Sequence, residues 1–162
     1  MAKLIPTAMQ YYRPETPAEL EPLLGSNDPA ALFIGGGTGM AFSRPAAERI
    51  VDLSRMPWKG CRRLADGSLE IGAVTTIGEL ERLPDATAFC GGILRQATDK
   101  LASTPLRNLI TVGGNVAAGF AWSDLPVVFL ALDARYRAFP GNGDGLHPLA
   151  FEEGKPLRRL TR

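Results

Sequence analysis

The residues best suited to binding chemistry lie in two short glycine-rich segments. Gly35-Gly36-Gly37-Thr38-Gly39 directly follows the apolar run Ala31-Leu32-Phe33-Ile34, and Thr111-Val112-Gly113-Gly114-Asn115 repeats the combination of hydroxyl and glycines with an added amide side chain. Glycines after a strand can take φ > 0 and turn successive N–H groups into one concavity, which suits a phosphate or diphosphate. Thr38 adds a hydroxyl donor. Neither familiar template fits, however. A dinucleotide fingerprint starting at Gly35 needs glycine where Met40 stands, and a nucleotide-hydrolase phosphate loop needs a Lys-Ser/Thr pair that is absent. Alone, the first segment is equally a tight turn after a strand. Asp124 opens a later apolar run, where its carboxylate can cap a helix or accept two hydrogen bonds from a ribose diol. Two glycine segments in one small domain suit a ligand with two phosphates and a sugar.

Other chemistries lack their residues. The single histidine, His147, rules against a zinc site, which wants several His or Cys ligands, and no nucleophile-elbow motif accompanies it. Glu152 and Glu153 are adjacent, and neighbours do not face each other as an acid–base pair must. Cys61 and Cys90 are too few for a disulfide framework or an iron–sulfur site, and Cys90 falls on an apolar helical stripe that reads as core. Formal net charge is +1, from 18 basic and 17 acidic residues, which gives no general attraction to nucleic acid or an anionic membrane. The basic tail Lys155, Arg158, Arg159 and Arg162 reads as a solvated end. The N-terminus lacks the apolar run of a signal peptide, and no stretch is long enough to span a membrane, so the expected location is the cytoplasm.

The elements that must position these residues can be followed along the chain. With 45% hydrophobic and 22% charged residues, its 162 residues can bury a core as one domain or two small lobes. Thr16-Pro17-Ala18-Glu19 is a helix start with a capping box, Leu20, Leu23 and Leu24 give that helix its apolar face, and Gly25 ends it. Ala31–Ile34 and Ile50–Leu53 are expected strands. A further strand over Leu69–Ala73 precedes a second capping box, Thr76-Ile77-Gly78-Glu79. Phe89, Cys90, Ile93, Leu94, Ala97 and Leu101 recur at helical spacing and predict one helix from Ala86 to Leu101, broken by Ser103-Thr104-Pro105. Residues 111–115 read as a loop, Ser123-Asp124-Leu125-Pro126 as a capped helix start, Arg135–Phe139 as a half-exposed strand, and Pro140–Gly145 as a turn.

Taken in order, these segments resemble the FAD-binding domain of the xanthine dehydrogenase and carbon monoxide dehydrogenase medium-subunit family, the flavoproteins of the molybdenum hydroxylases. The resemblance rests on Tyr12-Arg13-Pro14-Glu15-Thr16-Pro17-Ala18-Glu19-Leu20, then Ile34-Gly35-Gly36-Gly37-Thr38, then Ile71 to Leu80, and then Ala102-Ser103-Thr104-Pro105-Leu106-Arg107-Asn108 through Thr111–Asn115 to Asp124-Leu125-Pro126. It implies a two-lobed α+β fold: a small αβ lobe over 1–58 and a larger lobe over 59–162 with a mixed or antiparallel sheet, FAD lying between them. It further implies that Phe33, Ile34, Gly35, Gly36, Gly37, Thr38, Gly39 and Met40 wrap the pyrophosphate. Thr111, Gly113, Gly114 and Asn115 would form a second wall, Asp124 would meet the ribose–phosphate region, and Leu101 would pack near the flavin. No catalytic side chain is implied, because the isoalloxazine carries the redox chemistry. Iron–sulfur and molybdenum-cofactor subunits would be the partners, and NAD, a quinone or oxygen the acceptor.

The chain departs from the family pattern in three places. Gly39 stands where an acidic residue usually follows Gly-Gly-Thr. Phe120-Ala121-Trp122 replaces a frequent Ser-Pro step. The family's smaller C-terminal domain is missing from the 162 residues. These departures favour a second reading, a non-catalytic scaffold of the same fold that has lost tight FAD binding; a third is a free-standing flavoenzyme, for which no acid, base or covalent flavin anchor stands out.

Overall fold

A computed structural model of the chain describes residues 9–24, 31–41, 47–120, 123–139 and 146–148, and has an α+β architecture. Three short strands open it: β1 (Gln10–Tyr12), β2 (Ala31–Ile34) and β3 (Arg49–Asp52). All pairings are parallel and the order is β1-β3-β2, so β3, with Val51 and Asp52 buried, is the central strand. Between β1 and β2 runs α1 (Pro17–Leu24). Thr16 Oγ1 accepts the Glu19 amide at 3.3 Å, as a cap should, but the Glu19 carboxylate reaches back to the Glu15 amide at 2.9 Å, so the expected capping box closes one residue early. α1 ends at Leu24; Gly25 lies outside the described residues.

The rest of the chain is mostly helical. β4 (Cys61–Arg63) and β5 (Leu69–Ile71) form an antiparallel ribbon, as do β6 (Arg135–Arg137) and β7 (Leu146–Pro148). Among the described residues the larger sheet expected here is therefore two separate two-stranded ribbons. His147 sits on β7 opposite Tyr136; the expected turn over 140–145 and the basic tail lie outside the described residues. Between the ribbons come α2 (Ile77–Leu80), α3 (Pro84–Ala88), α4 (Ile93–Asp99), α5 (Thr104–Arg107), α6 (Val112–Ala118) and α7 (Asp124–Ala131). The capping box on α2 forms in full: Thr76 Oγ1 accepts the Glu79 amide at 3.1 Å and the Glu79 carboxylate accepts the Thr76 amide at 2.9 Å.

Two expectations are corrected. The single helix over 86–101 is broken, because Cys90, Gly91 and Gly92 are left-handed, with φ of 46, 68 and 80°, and a 3-10 turn over Phe89–Gly92 separates α3 from α4. Two consecutive glycines make that reversal accessible, as β-carbon-bearing residues rarely do. Cys90 is thereby turned out to solvent rather than into the core. Second, residues 111–115 are no loop: Thr111 is the N-cap of α6.

Two hydrophobic clusters result. The larger packs Ile77, Leu80, Ala86, Leu94, Val112, Leu125 and Phe129. The smaller packs Leu20, Val51 and Met56 with Val74, so a residue beyond position 58 completes the core under the parallel sheet. No helix among the described residues is long and apolar enough to cross a membrane, and no cluster of His, Cys, Asp and Glu among them could hold a metal ion.

Candidate functional site

The first glycine segment leaves the carboxyl end of β2, held beside β3 by a Leu53 amide bond to the Ile34 carbonyl at 2.8 Å. Gly37 takes φ +70°, and Thr38–Ala41 close into a 3-10 turn in which the Met40 amide donates to the Gly37 carbonyl at 3.1 Å. The amides of Gly36, Gly37, Thr38 and Gly39 donate to no carbonyl among the described residues. Among the described residues the loop thus leaves a run of N–H donors without a carbonyl partner, on partly exposed backbone. Phe33 precedes it with an exposed ring, while Ile34 packs back toward Gly37.

The second segment meets the first directly. A β-carbon on Gly36 would lie 1.6 Å from the Leu109 carbonyl oxygen, and one on Gly35 would lie 2.4 Å from Thr111 Oγ1. Glycine is required there because backbone touches backbone. Behind this contact, residues 73–77 brace 110–113: Ile77 N to Ile110 O and Val112 N to Thr75 O at 2.9 Å, and Gly113 N to Ala73 O at 2.8 Å. Thr111 Oγ1 accepts the Gly114 amide at 3.2 Å, and the Asn115 amide donates to the Thr111 carbonyl at 2.9 Å. Every amide from 112 to 115 is therefore engaged inside the protein. The two segments look alike in sequence but differ in function as donors: the first presents N–H groups, and the second supports it from behind. Thr111, only 4% exposed, faces inward.

Asn115 is tied to the start of α7 by a side-chain bond. Ser123, the N-cap of α7, uses its hydroxyl not on its own helix but to donate to Asn115 Oδ1 at 2.6 Å. This ties the start of α7 to the first turn of α6, with exposed Asp124 the next residue along. Phe120 also returns to the site: a β-carbon on Gly39 would sit 3.9 Å from its ring, so the two departures from the family pattern face each other. Leu101 belongs to a different part of the fold. It follows α4, packs on the larger cluster, and its carbonyl receives Arg107 Nη1 at 3.4 Å.

Sequence reasoning missed the supports. Ala73 and Leu109 have unremarkable side chains and act through their carbonyls. Asp52, at the end of β3 and paired in register with Ile34, is 8% exposed and accepts the Tyr11 hydroxyl, the Ser54 amide at 2.9 Å and an ion pair from Arg13 Nε at 3.3 Å. Burial pushes its carboxyl up, but the Tyr11 and Ser54 hydrogen bonds and the Arg13 charge outweigh it and hold Asp52 below the usual carboxylate range. The Val-Asp dipeptide at a strand's end was the available signal.

Comparison with known proteins follows the same outline. Residues 7–150 match the family described as the FAD binding domain in molybdopterin dehydrogenase. The carbon monoxide dehydrogenase medium chain of Hydrogenophaga pseudoflava is 28% identical over 146 residues, covering 86% of this chain and 50% of that one. The 6-hydroxypseudooxynicotine dehydrogenase complex subunit alpha of Paenarthrobacter nicotinovorans is 33% identical over 133 residues, covering 78% and 44%. Among solved structures, the carbon monoxide dehydrogenase of Hydrogenophaga pseudoflava lacking the Mo-pyranopterin moiety superposes with a TM-score of 0.77 at 27% identity, covering 90% of this chain and 52% of that one. The chain spans about half the length of these relatives.

Proposed function

Because the chain belongs to the family of FAD-binding domains in molybdopterin dehydrogenases, we propose that its amides at Gly36–Gly39 hold the diphosphate of FAD and that the protein serves as the flavin-bearing part of a molybdenum-hydroxylase-type oxidoreductase. Bound there, FAD supplies the redox chemistry of its isoalloxazine ring. The chain's own residues bind and orient. The amides of 36–39 and the Thr38 hydroxyl donate to phosphate oxygens, and Gly35 and Gly36 let that loop rest on Leu109–Thr111 without a gap. Phe33, Ile34 and Met40 flank the loop. Thr111, Gly113, Gly114 and Asn115 form the second wall, backing the loop, Asp124 accepts from the ribose hydroxyls, and Leu101 lies toward the flavin.

The observation that carries this reading is the contrast between the two glycine segments, one whose amides donate to no carbonyl among the described residues and one whose amides are all engaged. A cradle preorganised by packing costs little further ordering when the ligand arrives. We place the division of the domain at 58/59, so that the cofactor lies between a small lobe over 1–58 and a larger one over 59–162. Iron–sulfur and molybdenum-cofactor subunits as electron donors, NAD, a quinone or oxygen as acceptor, and a cytoplasmic setting belong to this same proposal. The competing reading, a scaffold of the same fold without tight FAD binding, draws on the engaged amides at 112–115. A visible absorption spectrum of the purified chain, taken after FAD is added and the excess removed, separates the two. Retained bands near ~370 and ~450 nm support the flavoprotein, and a colourless protein supports the scaffold.

A further inference from the structure

We propose that Arg107 is a positioning residue for the flavin site, holding the Leu101–Ser103 turn in a conformation that turn would not keep by itself. The inference rests on the FAD-binding reading above. Ala102 sits at φ +52°, a left-handed conformation in which its β-carbon crowds the following carbonyl. Such a residue persists only where its surroundings over-determine it, and strain of this kind gathers at binding sites. Backbone bonds hold the two ends of the turn, Leu101 N to Thr98 O and Arg107 N to Ser103 O at 2.9 Å, and the carbonyl of Ala102 itself is met by one guanidinium. Arg107 Nη1 donates to the Ala102 carbonyl at 2.9 Å and to the Leu101 carbonyl at 3.4 Å, while Nη2 donates to Thr104 Oγ1 at 3.1 Å.

The guanidinium is itself fixed from the opposite side. Nε lies 3.2 Å from Glu81 Oε1, the side chains being only 17% and 21% exposed. Nε is fully buried, and its N–H is not aligned well enough on the carboxylate to count as a hydrogen bond, so the contact with Glu81 is chiefly one of charge. Glu81 caps the carboxyl end of α2, the helix that packs against α5. Arg107 therefore ties the turn after α4 to the block formed by α2 and α5. That block continues through Asn108 and Leu109 into the contact with Gly36. The planar fork is essential to this role: it delivers several donors in a fixed arrangement that a lysine ammonium cannot reproduce.

The test uses the whole chain with and without FAD. Arg107→Lys keeps the positive charge beside Glu81 but cannot serve two carbonyls and Thr104 together. It is expected to fold, to weaken FAD binding about tenfold, the scale of losing charge-assisted hydrogen bonds, and to shift the bound flavin's absorption. In the FAD-free protein it should speed amide hydrogen exchange over residues 101–104 while leaving that of residues 73–80 unchanged. Adding Ala102→Gly to Arg107→Lys should recover most of the lost affinity, because glycine takes φ +52° without being held. A variant with wild-type affinity, flavin spectrum and exchange overturns the inference alone, and so does failure of Ala102→Gly to restore affinity. A wild-type chain that retains no FAD overturns the functional reading, and this inference falls with it.

Discussion

A methyl group added at Gly36 would land 1.6 Å from the Leu109 carbonyl oxygen, a backbone atom that cannot turn aside. The same methyl on Gly37 would meet nothing closer than Ile34 Cδ1 at 4.0 Å, although the φ of +70° strains any β-carbon there. Neighbouring glycines should therefore respond differently to one substitution. Gly36→Ala is expected to cost at least ~3 kcal/mol of stability, since docked backbone must part, and Gly37→Ala about 1 kcal/mol, the left-handed penalty alone. Urea unfolding of the two variants checks this, and equal losses would mean that the two segments are not in contact. The sequence marks both positions as glycine and cannot say which one is needed for a neighbour and which for its own dihedral angle. That distinction depends on Leu109, which is distant in the chain.

At the level of elements, what the sequence discloses is whatever local chemistry decides. Ala31–Ile34 and the strand expected over Ile50–Leu53 are short, largely apolar runs, and the Thr76–Glu79 capping box is complete within four residues; all of these form, the second strand one residue earlier, over Arg49–Asp52. The break at Cys90–Gly92 is hidden because Phe89, Ile93, Leu94 and Leu101 still pack on the larger core from both sides of the kink, which preserves a helical period across two helices. The adjacent glycines were the signal to weigh against it. The start of α6 is hidden for another reason: its amides are fixed by Ala73 and Thr75, far away in sequence. The parallel sheet shows how such long-range contacts carry a pH signature. Asp52 is held below its ordinary value, so its stabilisation is complete above the ordinary carboxylate range and is lost as pH falls through the depressed folded value. The hydrogen bond to Asp52 and burial raise Tyr11, whose contribution is present below the ordinary phenol value and is lost as pH rises through the raised one. Stability measured by urea unfolding should thus fall at both ends of the pH scale. Tyr11→Phe should flatten the alkaline fall and lessen the acidic one; an unchanged profile would remove the Tyr11–Asp52 bond from the account.

Over the whole molecule, the interlocking of the two hydrophobic clusters decides how a ligand is felt. Val74 belongs to the smaller cluster, Ile77 and Val112 to the larger, and the stretch from Ala73 to Ile77 is hydrogen-bonded to both the Trp58–Gly60 turn and the 110–113 segment. Unfolding one cluster exposes the brace of the other, so the chain should melt in a single transition. FAD binding only the folded form then stabilises the entire chain, by about 2.7 kcal/mol at a hundredfold excess over Kd, a rise in Tm on the order of 5–10 °C for a domain of this size. ADP carries the diphosphate and ribose that the loop at 36–39 and Asp124 are proposed to meet, and should give much of that rise. Riboflavin, lacking both phosphates and the ADP ribose, should give little. Differential scanning calorimetry with the three ligands reads this directly. Equal shifts from ADP and riboflavin would move the binding determinant away from the glycine loop, and two separate transitions would show that the clusters fold independently and that residues 73–77 are a linker rather than a brace.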